Sequence, residues 1–112
     1  MDIKRMTILS PNYPHYRKYS DCEWVLIVPC NKQIELHFEE FEIELHRDYL
    51  DICDEDIMGD TTRCQEYTGT DTPEAFLSKG NHVSLKFKSD FINNFKGFRI
   101  KINIIGKTNV IS

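Results

Sequence analysis

Apolar and polar positions alternate with a period of two in three stretches of the chain. Ile34, Leu36 and Phe38 alternate with Gln33, Glu35 and His37, and Val83, Leu85 and Phe87 with Ser84, Lys86 and Lys88. Phe98, Ile100, Ile102 and Ile104 alternate with Arg99, Lys101 and Asn103. Successive side chains of a strand point to opposite faces, so each stretch predicts a strand with one face on a core and the other in water. Trp24-Val25-Leu26-Ile27-Val28 is a continuous apolar run, as expected for a strand near the middle of a sandwich; Tyr49-Leu50-Asp51-Ile52 is shorter and β-rich. Turn-forming clusters lie between the runs: Ser10-Pro11-Asn12-Tyr13-Pro14, Pro29-Cys30-Asn31-Lys32, Met58-Gly59-Asp60, Gly69-Thr70-Asp71-Thr72-Pro73 and Lys79-Gly80-Asn81. The one helical candidate is about a single turn, Pro73 to Ser78. Short strands at regular spacing predict an all-β antiparallel sandwich or barrel. Lys107 to Ser112 reads as a frayed tail.

Length and charge narrow the classes. At 112 residues the chain is one domain's worth of sequence, spanning residues 1–112 with no linker or repeat. A net charge of −4 argues against a nucleic-acid partner, which needs a basic face. No apolar run approaches the roughly 20 residues that cross a bilayer. No apolar stretch follows the charges of Met1 to Met6, so no signal peptide is expected, and a secreted protein would be represented here by a mature or excised segment. G-x-S-x-G, H-E-x-x-H and reactive-cysteine contexts are absent, so the chain is expected not to be an enzyme. No N-x-S/T sequon occurs. Four cysteines, Cys22, Cys30, Cys53 and Cys64, point to disulfides and an oxidising, extracellular compartment. A zinc site with His15, His37, His46 or His82 is disfavoured, since no C-x-x-C or H-x-x-x-H spacing exists.

The order of motifs carries a family resemblance. Ser10-Pro11-Asn12-Tyr13-Pro14 precedes Cys22-Glu23-Trp24, Pro29, Ile34-Glu35-Leu36-His37-Phe38 and Phe41-Glu42-Ile43-Glu44. Asp48-Tyr49-Leu50-Asp51-Ile52, Cys64, Pro73, Ser78-Lys79-Gly80-Asn81, Phe87-Lys88-Ser89-Asp90 and Gly97-Phe98 follow. This series resembles a CUB domain over about residues 7–105. The resemblance implies a jelly-roll-like sandwich of two antiparallel sheets used outside cells for protein recognition. In such a sandwich Trp24, Leu26, Leu36, Phe38, Phe87 and Phe98 would form core layers.

The resemblance extends to a calcium-binding subclass. Glu44, Asp48, Asp90 and Asn93 match its metal ligands, and Tyr16 matches the tyrosine that positions the glutamate. Calcium takes six to eight oxygen ligands, and converging carboxylates repel one another unless a cation sits among them. A main-chain carbonyl of Phe91 or Ile92 and waters would complete the shell. Only Leu45, His46 and Arg47 separate Glu44 from Asp48, a shorter loop than in those relatives, and Arg47 offers an alternative way to neutralise the acids. Asp54-Glu55-Asp56 with Gly59 and Asp60 looks like half an EF-hand loop, but Gln65 stands where its last glutamate belongs; a solvated hairpin tip is expected.

The cysteines depart from the family pattern. Cys22 and Cys64 match family positions, whereas Cys30 and Cys53 do not. An unbroken strand would hold Cys22 and Cys30 about 26 Å apart, against the roughly 7 Å limit for a bridge. Cys53–Cys64, closing a loop between successive strands, is preferred, with Cys22 bonded upstream; Cys30–Cys53 with Cys22–Cys64 is the alternative. The function implied is recognition of an extracellular protein that presents a lysine or arginine. Its basic group would meet Glu44, Asp48 and Asp90, lined by Tyr16 and His46. A glycan- or lipid-binding module using Tyr13, Tyr16, Tyr19 or Tyr67, or an accessory domain of a secreted protease, is the alternative.

Overall fold

The computed structural model describes residues 5–11, 13, 20–55, 62–90 and 95–106. Among the described residues eight strands follow in order: β1 (Arg5–Leu9), β2 (Asp21–Ile27), β3 (Lys32–Glu42), β4 (Tyr49–Glu55), β5 (Thr62–Tyr67), β6 (Phe76–Leu77), β7 (His82–Lys88) and β8 (Gly97–Gly106). They form two four-stranded sheets, β1-β8-β3-β6 and β2-β7-β4-β5, with every pairing antiparallel. This is the jelly-roll-like sandwich expected from the sequence.

The alternating residues of β3, β7 and β8 supply the core. Ile34, Leu36, Leu85, Phe87, Phe98 and Ile100 are fully buried or nearly so. Phe98 meets Phe87 edge-on at 5.1 Å between ring centres and Trp24 at 5.9 Å. β3 breaks its own period. Phe38 and Phe41 are three residues apart yet both buried, because the register against β8 shifts between Phe38 and Glu40. The bulge adds one residue to β3, turning Phe41 and Ile43 inward and aiming the chain after β3 at the end of the sandwich.

Several sequence expectations need correction. The apolar run from Trp24 lies on an edge strand, since among the described residues β2 pairs with β7 alone. Trp24 and Leu26 are half-buried against the core, while Val25 is 53% and Ile27 68% exposed. Continuous apolarity therefore does not report burial on both faces here. No helix forms at 73–78: Phe76 and Leu77 pair with Leu36 and Glu35 of β3, because burying the Phe76 ring outweighs what one isolated helical turn offers. β1 was not legible, because Met6 and Leu9 are each 45% exposed and, among its described side chains, only Ile8 is buried, which leaves no period to read. Asp54 is not part of a solvated tip. It lies on β4, buried at 4% exposure. Met58-Gly59-Asp60 and the tail from Lys107 lie outside the described residues.

Cys53 and Cys64 are directly opposed on β4 and β5 and form a disulfide, with Cα atoms 4.0 Å apart. The alternative pairing is thereby excluded; Cys22 is half-buried on β2 and Cys30 is exposed in the turn after it, and neither is bridged to another cysteine of these 112 residues. The bridge joins positions 11 apart and ties down edge strand β5. Closing so short a loop removes about 2–3 kcal/mol of denatured-state entropy. The double variant Cys53→Ser/Cys64→Ser is therefore expected to lose about that much stability in urea titration; an unchanged midpoint would show that the bridge is only ornamental.

Candidate functional site

The turn after β3 brings the acidic residues together. Asp48 N–H donates to the Glu44 carbonyl at 3.0 Å, and Arg47 N–H to the same oxygen at 3.3 Å. His46 takes a left-handed backbone conformation, φ 61°, which closes the turn in three residues; histidine is among the side chains that tolerate it. Thr68, just past β5, stitches the turn from the side. Its Oγ1 accepts from His46 N–H at 2.9 Å. The same hydroxyl lies 2.8 Å from the Asp48 carbonyl and 3.1 Å from that of Glu44, and donates to one of them. Neighbouring Gly69 has φ 91°, and a Cβ there would stand 3.0 Å from Leu45 Cδ1, so any other residue would be strained there.

Asp48 is the hub. Its side chain is fully buried; Oδ2 accepts from Glu44 N–H at 3.2 Å and Oδ1 from Asp90 N–H at 2.9 Å. One carboxylate thus binds the β3–β4 turn to the residue two places beyond β7. Around it, Glu44, Asp48 and Asp90 each bring an oxygen within 4.8 Å of the other two. Two ligands of one calcium ion can stand up to roughly 4.6–5.2 Å apart, twice the bond length, so this spacing fits one ion. The donors are all hard oxygens, which suits calcium or magnesium and not zinc. Among the described residues, this is the one gathering of metal-ligating side chains, and it includes no histidine or cysteine.

Burial and charge crowding both bear on Glu44. Its carboxyl is raised above the ordinary value of 4.5, by desolvation first, then by the charge of Asp90 and a hydrogen bond with it, then by Asp48; Arg47 pulls the other way. Arg47 Nη1 stands 3.6 Å from Asp90 Oδ2, with the arginine side chain 60% exposed and the aspartate 21%. The neutralising role foreseen for Arg47 is therefore physically present alongside the cation-ready acids.

Of the predicted site residues, Glu44, Asp48 and Asp90 converge, and His46 is exposed on the turn between the first two. Tyr16 and Asn93 lie outside the described residues, as do Phe91 and Ile92. Thr68 was missed by sequence reading, because its contacts depend on β5 lying beside β4 and no local pattern marks it. Tyr67 is no exposed platform: its ring packs on Phe38 at 5.3 Å and on Phe41 at 6.4 Å, and its hydroxyl donates to Gln65 Oε1 at 2.5 Å. Tyr13 is half-buried.

Comparison with known proteins agrees with this fold. The family model described as "CUB domain" matches residues 2–102. Mouse (Mus musculus) Tolloid-like protein 2 is 41% identical over 96 residues, covering 81% of this chain and 9% of that protein. Human Cubilin is 34% identical over 103 residues, covering 87% of this chain and 3% of that protein. The chain thus spans a small fraction of the curated relatives it matches. Among solved structures, the MASP-1 CUB2 domain bound to Ca2+ superposes with a TM-score of 0.77 at 27% identity, covering 89% of this chain and 92% of that one.

Proposed function

Since the chain belongs to the CUB domain family, we propose that it is a non-catalytic, extracellular protein-recognition module holding a calcium ion among Glu44, Asp48 and Asp90. In this reading residues 1–112 act as a single module, and the acidic edge of the loaded site binds a lysine or arginine side chain of a partner protein. The observation that carries it is the convergence of three carboxylates from two separate loops to within 4.8 Å, around an aspartate with no exposure to solvent.

Each residue has a distinct part. Asp48 accepts the Glu44 amide with one oxygen and the Asp90 amide with the other, which holds both loops at the place where an ion would sit. Glu44 and Asp90 are the partly exposed members, so they form the edge that meets a partner's ammonium. Asn93 adds an amide oxygen, Tyr16 orients Glu44, and His46 lines the contact. The bound cation supplies charge neutralisation and joins the loops; the chain supplies a prearranged anionic surface, so little ordering cost remains when the partner arrives. Because protons compete with the ion for Glu44, whose pKa is raised, loading weakens as pH falls through that raised value. Partner binding weakens with salt and with chelation.

The test is calorimetric melting in calcium against chelator. At calcium tenfold above Kd the linkage is about 1.4 kcal/mol, roughly 5–10 °C for a domain of this size. The shift is expected to vanish in Asp90→Ala. Identical melting of wild type in calcium and chelator would sink the proposal.

A further inference from the structure

The turn that builds the site also delivers a cation of its own. Asp48 accepts the Glu44 amide, the turn closes in three residues, and Arg47 is thereby held next to the acids with its guanidinium 3.6 Å from Asp90 Oδ2. The guanidinium approaches from solvent, as its 60% side-chain exposure requires. A dication drawing on Asp90 repels a guanidinium this close, and a partner's ammonium competes for the same carboxylate edge. Arg47 in place and an ion or partner in place are therefore alternatives.

Resting on the calcium reading above, we propose that Arg47 is a tethered stand-in cation that sets the calcium and partner concentration needed to load the site. In the ion-free protein it partly offsets the crowding of Glu44, Asp48 and Asp90; on loading it swings into solvent. The exposure and the 3.6 Å distance make the pair weak enough to displace. A pair whose arginine is 60% exposed and stands 3.6 Å from the carboxylate, favoured only slightly over open solvent, is occupied half the time or somewhat more, which raises the apparent dissociation constant about two- to sixfold. The arginine's function is thus to set a threshold and not to hold the fold.

The test is calorimetric titration of the 112-residue chain with calcium chloride at low salt, comparing wild type, Arg47→Ala, Arg47→Lys and Asp90→Ala. Arg47→Ala is expected to bind calcium about two- to sixfold more tightly than wild type, Arg47→Lys close to wild type, and Asp90→Ala not measurably. The advantage of Arg47→Ala should shrink as added salt screens the pair. Melting separates this role from a structural one: Arg47→Ala should melt at or below wild type in chelator and at or above it in calcium, whereas loss of a structural contact lowers both. If wild type binds calcium and Arg47→Ala binds no more tightly, the stand-in role is overturned and the calcium site survives. If neither binds, the calcium reading itself has failed and the stand-in role with it.

Discussion

Asp48→Ala is expected to lower the unfolding free energy by about 2–3 kcal/mol and to abolish calcium binding, the largest single effect anywhere at the site. The substitution strips the acceptor from two backbone amides, Glu44 N–H and Asp90 N–H, in a pocket where the aspartate itself has no exposure. Each abandoned donor costs about 1–3 kcal/mol when water cannot replace the partner. Both amides are only part-buried, which keeps the total toward the lower end. The β3–β4 turn and the segment after β7 would then separate, so Glu44 and Asp90 lose their common focus. Chemical denaturation in chelator measures the stability term free of any ion, and titration calorimetry the binding term. Asp48→Asn keeps the shape and one acceptor, and should fall between the two in stability while still losing calcium. An Asp48→Ala protein as stable as wild type in chelator would show that the buried carboxylate does not hold the loops.

At the other end of β4, Asp54→Ala is expected to cost about 3 kcal/mol while leaving calcium affinity unchanged. Asp54 Oδ2 accepts from Lys79 N–H at 2.6 Å and from Arg63 Nη2 at 3.1 Å, and Oδ1 from Gly80 N–H at 3.3 Å. Its side chain is only 3% exposed, so those amides have no easy substitute. The carboxylate fastens the turn between β6 and β7. Ser78 fastens the same turn to β3: its Oγ accepts from Ile34 N–H at 2.9 Å and lies 2.7 Å from the Gly80 carbonyl. Arg63 is a lesser member. It is 43% exposed, sits 5.3 Å over the Phe76 ring, and water can replace much of what it gives. Arg63→Ala should therefore cost only about 1 kcal/mol. Denaturant titration of both variants checks the order, and a larger loss for Arg63→Ala would refute the dominance of the backbone amides. Six residues of strand, about 20 Å, separate Asp54 from Asp48, which is why the calcium titration should not change.

These two aspartates also mark the limit of what could be read in advance. Asp48 stood out because it matched a family position beside Glu44 and Asp90. Asp54 sits in the acidic string Asp54-Glu55-Asp56, where composition favours a solvated tip. Local charge cannot distinguish a carboxylate in water from one buried against two amides. The amides of Lys79 and Gly80 arrive from 25 and 26 residues away, and only their arrival makes burial tolerable. The same blindness placed the Trp24 run near the middle of a sandwich, since a sequence shows apolarity and not the number of neighbours a strand has.

The amino-acid order alone determined the all-β class and the inward faces of β7 and β8 and of most of β3, because period-two patterning is a local property of the chain, while the family resemblance singled out Glu44, Asp48 and Asp90. The tertiary structure decided which strands lie at edges, that Cys53 pairs with Cys64, that Thr68 clamps the turn and that Arg47 reaches Asp90. Each of those depends on segments distant in sequence coming side by side, and such proximity follows from sheet order and register, which no short window of residues encodes.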